Sequence, residues 1–172
     1  IRVPIGLFAG LMAIVFSLNS FTSLSSLASV PSPVGNLRVE SKQRASMEKL
    51  LATVHPGEPL FVYPYMPMHY FITQAHNPTD YSFFSPGMST QREASAALAE
   101  LEQRPPEWIL FLKLSRKEIL RVVPQGGSAE LRYGALEDWL EQNYPPQPDG
   151  KVVVAGYELR RRVANVQASV QP

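Results

Sequence analysis

Cysteine is absent from this 172-residue chain, which excludes disulfides, a thiol nucleophile and cysteine-ligated zinc while leaving the compartment open. A surplus of charge is absent as well, since 16 Lys and Arg stand against 15 Asp and Glu. A phosphate-backbone partner favours a basic excess, so no nucleic acid is expected as a partner. The signatures of several chemistries are missing too. Gln125-Gly126-Gly127-Ser128 has neither the glycine spacing nor the following Lys-Ser or Lys-Thr of a phosphate-binding loop. The histidines His55, His69 and His76 form no HxxxH or HExxH pattern, and no metal site is expected. Asp80, His76 and Ser82 or Ser85 are triad residue types without a GxSxG elbow. Glu137, Asp138 and Glu141 read as a solvated helix face, and Arg160, Arg161 and Arg162 as a solvated strand edge. No catalytic residue and no cofactor is expected.

Charge is also missing from residues 3–37 as a block. Residues 3–18 are almost continuously apolar, and extending them to Phe21 approaches the roughly 20 residues that span a bilayer core. Gly6 and Gly10 have the spacing that lets a second helix approach closely. The expected domain organisation is a transmembrane helix over residues 1–22, a juxtamembrane linker over 23–38, an extracytoplasmic α/β domain over 39–163 and a disordered tail over 164–172. Arg2 precedes the apolar run and no basic residue follows it until Arg38, which favours an inside amino end by the positive-inside rule. Because the sequence begins at Ile1, the chain is read as a fragment of a longer membrane protein rather than as a signal peptide with its mature domain, with a helix buried in a soluble fold as the third reading of the apolar run.

What the chain does have is concentrated in residues 60–86, where aromatics and prolines are dense and charges are scarce. Phe61, Tyr63, Tyr65, Tyr70, Phe71 and Tyr81 carry large apolar areas, so this stretch is expected to cross or line a core. Leu60-Phe61-Val62-Tyr63, bounded by Pro59 and Pro64, predicts a short strand. Residues 68–72 fit either a short helix or an extended passage, and Asn77-Pro78-Thr79-Asp80 is a turn. Three roles remain open for the stretch: structural core and loop, a surface that packs on a partner domain, or a ligand pocket lined by Tyr63, Tyr65, His69, His76, Asn77 and Asp80.

Around it the periodicities predict an α/β fold, a small mixed or mostly parallel sheet with flanking helices, preceded by the transmembrane helix. Met47, Leu50, Leu51 and Val54 mark one face of a helix over residues 41–54. Thr90 and Glu93 have capping-box spacing at the start of a second helix ending near Gln103, with Ala94, Ala97, Leu98 and Leu101 inward. Residues 107–112 predict a strand covered on both faces, and residues 113–123 a helix or second strand. A third helix is expected over 133–144 and a strand over 151–155; Gly156 permits a bend or a bulge, after which residues 157–161 either continue the strand or return as a hairpin.

The stretch 61–86, with Pro105-Pro106-Glu107-Trp108-Ile109 and the closing Gly156-Tyr157-Glu158-Leu159-Arg160-Arg161, resembles the carboxy-terminal extracytoplasmic segment of bacterial polytopic membrane glycosyltransferases. These are the enzymes related to protein mannosyltransferases and lipid A sugar transferases. The resemblance implies an accessory, non-catalytic domain of an enzyme using a polyprenyl-phosphate-linked sugar donor. Its implied partners are membrane lipid, an upstream transmembrane catalytic region of the same protein, and a polyprenyl-linked sugar or glycan acceptor. Its implied location is the inner (plasma) membrane, with the domain on the periplasmic or extracellular side. The alternative expectation is a membrane-anchored ligand-binding or protein-interaction module.

Overall fold

A computed structural model of the chain describes residues 27–85, 88–115, 117–118, 133–147 and 151–163. In chain order the elements are β1 (Leu27–Ser32), β2 (Gly35–Glu40), a 3-10 turn (Ser41–Gln43), α1 (Arg44–Thr53), β3 (Leu60–Tyr63) and α2 (Met68–Thr73). These are followed by α3 (Gln91–Gln103), β4 (Trp108–Phe111), α4 (Gly134–Asn143), β5 (Val152–Val154) and β6 (Tyr157–Arg161).

The central sheet runs β3-β4-β6-β5. Only β3 and β4 are parallel, with Leu60 opposite Trp108 and Tyr63 opposite Phe111. β4 pairs antiparallel with β6, and β6 antiparallel with β5. The tight β5–β6 connection places Ala155 at φ 50° and Gly156 at φ 87°, the two left-handed residues that a right-twisted hairpin needs.

Strand alternation divides the core in two. Leu60, Val62, Leu110, Tyr157 and Leu159 meet Met47, Leu50 and Val54 of α1 and Val30 of β1 on the first face. Phe61, Tyr63, Ile109 and Phe111 meet Ala94, Ala97 and Leu101 of α3 and Leu136 and Leu140 of α4 on the second. Because both faces are covered, β3 and β4 carry no polar side chain apart from the Tyr63 hydroxyl and the partly buried Trp108 indole, as doubly covered strands require. The capping box at α3 forms: Glu93 N–H donates to Thr90 Oγ1 at 3.2 Å and Thr90 N–H to Glu93 Oε2 at 2.6 Å.

The expected fold class needs correction. The domain is a small mixed α/β fold, and no helix among the described residues is long and apolar enough to cross a membrane. The span expected over residues 1–22 lies outside the described residues, as do the 164–172 tail, the 125–128 loop and most of residues 113–123. Part of the segment expected to be a linker forms the antiparallel β1–β2 hairpin, with Leu27 opposite Glu40 and Ser32 opposite Gly35. Gly35 takes φ 113° at its turn, and Val30 is sealed beneath it in the first core layer. The polar, serine-rich composition that suggested a linker is that of a strand pair with a single buried side chain.

The arginine cluster also differs from its expected solvated edge. On β6, Tyr157 and Leu159 face one way, which turns Glu158 and Arg160 to the other face, where both are buried. Arg160 Nε and Nη2 donate to Glu158 Oε2 at 3.0 and 2.8 Å, and its guanidinium lies 4.5 Å above the Phe111 ring. Arg161 is exposed and paired with Glu107 at 2.8 Å.

Candidate functional site

The segment after β3 is organised by the outer edge of that strand. A parallel strand edge exposes alternate N–H and C=O groups, and each must find a partner or face water. Leu60 N–H donates to the His76 carbonyl at 3.0 Å, and His76 N–H returns to the Glu58 carbonyl at 3.0 Å. Val62 N–H donates to the Tyr70 hydroxyl at 2.9 Å. Pro64 has no N–H, and its carbonyl accepts from Phe84 N–H at 2.6 Å. The chain from 64 to 84 therefore folds back along β3 and seals it.

Sealing the edge inward leaves other side chains outward. α2 buries His69, Ile72 and Thr73, and the same helical geometry puts Met68 and Phe71, three positions apart, outside, each 59% exposed. Phe71 was expected in the core and is corrected here; Tyr70 occupies the inward position beside it. Met66 is 36% exposed, Phe83 42% and Met88 76%. Five of the seven large hydrophobic side chains exposed among the described residues thus come from this one segment. Tyr65, next to Met66, meets the Phe83 ring at 6.1 Å, and Ser89 Oγ, next to Met88, donates to the Phe83 carbonyl at 2.8 Å, which brings the Met66 turn and the Phe83–Met88 passage together. Between residues 59 and 91 there is no Lys or Arg, and Asp80 is the one acidic residue.

The backbone that presents Met66 is strained and held. Met66 has φ 118°, a region sparsely populated for a residue with a side chain. Its carbonyl accepts from His69 N–H at 3.1 Å, and the neighbouring Tyr65 carbonyl accepts from the Tyr157 hydroxyl of β6. A bond from the sheet and one from α2 fix the turn on either side.

The six residues expected around a ligand are placed separately. Tyr63 is on the second face, stacked on Phe111 at 5.6 Å, with its hydroxyl donating to Glu137 Oε1 at 2.7 Å. His69 is buried on the first face, edge-on to Tyr157. Burial lowers its pKa from the usual histidine value to about 4. Tyr65 is half-buried beside the exposed apolar surface. His76 is exposed, with Nδ1 2.9 Å from the Gly57 carbonyl. Asn77 closes its own turn: Oδ1 accepts from Thr79 N–H at 3.1 Å and Nδ2 donates to the Tyr81 carbonyl at 2.9 Å. Asp80 is exposed, and its N–H donates to Glu100 of α3 at 2.9 Å. Only Tyr65 and His69 belong to the tethered turn that carries Met66. Among the described residues no group of three or more His, Asp and Glu side chains could hold a metal.

No family model, curated protein or solved structure matches the chain. The glycosyltransferase expectation is corrected on that finding, because neither a family model nor a solved structure supplies a glycosyltransferase signature. The membrane expectations are corrected on the helices. No helix among the described residues links this domain to membrane lipid or to an upstream transmembrane catalytic region. Anchoring at the inner membrane, with the domain on its periplasmic or extracellular side, therefore cannot be inferred. The polyprenyl-linked sugar and the glycan acceptor fall with the transferase assignment.

Reading the sequence for polar constellations missed Met66, Met68, Phe83 and Met88. The signal available was the combination of three methionines with a run of some thirty residues free of basic side chains.

Proposed function

We propose that this chain is a docking domain, whose Met66, Met68, Phe71, Phe83 and Met88 surface binds the apolar face of an amphipathic helix in a protein partner. The observation that carries this reading is the gathering of most exposed large hydrophobic side chains on one segment whose backbone is otherwise tied to the sheet. Exposed hydrophobics scattered over a surface are ordinary, whereas several concentrated on one tethered segment favour an interaction surface.

The hydrogen bonding favours a helix as the occupant. An extended peptide binds a sheet edge through main-chain bonds, and the β3 edge beside this surface is already taken by His76, Tyr70 and Phe84. A helix satisfies its own backbone and needs only side-chain contact. Met68 and Phe71 supply anchors at the i, i+3 spacing, and flexible thioethers adapt to the facing side chains. The absence of Lys and Arg from residues 59–91 removes the basic component that binding to an anionic lipid surface uses.

The test uses two synthetic helical peptides with the same all-leucine face and either lysine or glutamate on the polar face. The full chain binds both with similar affinity, independently of salt, because the surface has almost no charge. Phe71→Ser weakens both by about tenfold or more, while Val163→Ser, exposed outside the segment, changes neither. Binding of the lysine peptide alone, abolished by salt, overturns the reading. So does self-association that Phe71→Ser abolishes, which makes the occupant a second copy.

A further inference from the structure

We infer that the docking surface is also a modification site: Met66, Met68 and Met88 are positions of reversible oxidation by hydrogen peroxide, and their sulfoxides release the bound helix. The inference rests on the docking reading for its consequence. The oxidation itself rests on exposure and composition.

Three of the five methionines in the chain fall in this one segment, and all three are exposed. Leucine or isoleucine provides as much apolar area without sulfur, so the methionines that make this surface adaptable also make it oxidisable. Exposure sets the order of attack. Met88 is 76% exposed, Met68 59% and Met66 36%, whereas Met47 lies in the first core layer at 6%. Peroxide in solution reaches the first three sulfurs directly and reaches Met47 only when the core opens.

In each reaction the O–O bond of peroxide breaks and an S–O bond forms. Sulfur loses two electrons, peroxide is reduced to water, and no further reactant is needed. The product is a polar, chiral sulfoxide on the same side chain. Against solvent it is harmless, because an exposed position desolvates nothing. Against the leucine face of a bound helix its oxygen is buried without a donor, the arrangement that disfavours a complex. None of the three side chains belongs to either core layer, so oxidation leaves the fold standing and acts on binding alone.

The experiment treats the full chain with hydrogen peroxide, locates added oxygen by peptide mapping, and measures unfolding and affinity for the glutamate-faced peptide before and after. The expected result is oxygen at Met88, Met68 and Met66 with Met47 spared, and an unchanged unfolding midpoint. Affinity falls by roughly tenfold or more and is restored by the two epimer-specific methionine sulfoxide reductases with a dithiol, which is oxidised to its disulfide as the sulfoxide oxygen leaves as water. Met47→Leu retains the same response, which assigns it to the surface. Binding that survives oxidation of the three surface methionines overturns this inference and leaves the docking reading intact. Failure of the untreated chain to bind either peptide overturns both. Oxidation of Met47 at the same rate, with loss of the fold, also overturns the inference.

Discussion

The His69 ring meets the Tyr157 ring edge-on at a centroid distance of 5.2 Å, and neither imidazole nitrogen has a hydrogen-bond partner. This contact joins α2 to β6, and the Tyr157 hydroxyl continues the connection to the Tyr65 carbonyl. α2 is therefore held to the sheet through a ring that tolerates no charge.

Acid should loosen that connection. Burial lowers the His69 pKa from 6.5 to about 4, so in this region of pH the unfolded chain binds the proton more readily than the folded one. The contribution is fully present above pH about 6.5 and is lost as pH falls toward about 4, to the extent of about 3 kcal/mol. Denaturant titrations between pH 7 and 4 should show a steeper loss of stability for the native chain than for His69→Leu. Parallel curves contradict this.

The neighbouring position on α2 separates stability from binding. Tyr70→Phe leaves the Val62 N–H without its acceptor at a sealed strand edge, and a loss of about 1–3 kcal/mol is expected. Phe71→Ser removes a side chain that is mostly in solvent, so its stability should remain within about 0.5 kcal/mol of the native chain. Unfolding measurements on the two variants check the contrast. Equal losses would place Phe71 in the core.

A third prediction concerns the buried pair on β6. Glu158→Leu leaves the Arg160 guanidinium buried over Phe111 without its carboxylate, with only the Tyr144 carbonyl at 3.4 Å left to accept from it, and should cost about 3–5 kcal/mol. Adding Arg160→Leu should recover much of that loss, because an apolar pair needs no compensating charge. The exposed ion pair of Arg161 and Glu107 provides the comparison: Arg161→Leu should change stability by less than about 1 kcal/mol. A double-mutant cycle with no coupling between Glu158 and Arg160 contradicts the buried-pair account.

The sequence made the repeating parts of the fold readable. The inward spacing of Met47, Leu50 and Val54, the Thr90–Glu93 capping box, and the uninterrupted apolar runs of β3 and β4 are local patterns with one structural solution each. Gly156 marked a break after β5, and the structure resolves it as the β5–β6 hairpin. Pairings distant in sequence were not readable. Nothing near Arg160 distinguishes it from Arg161; alternation against Tyr157 and the approach of Phe111 bury one and expose the other. Phe71 has the composition of a core residue, and only the use of Tyr70 to seal β3 turns it outward. The candidate surface was hidden for the same reason: it consists of apolar residues left over after the strand edge is satisfied, and that depends on tertiary hydrogen bonds.

The most direct test of the docking account follows the methionine methyl resonances of the full chain as the glutamate-faced helical peptide is added. The account predicts that Met66, Met68 and Met88 shift together with a single affinity while Met47 stays in place, and that Phe71→Ser abolishes the shifts at the same peptide concentration. Shifts centred on Met47, or a response unaffected by Phe71→Ser, would contradict it.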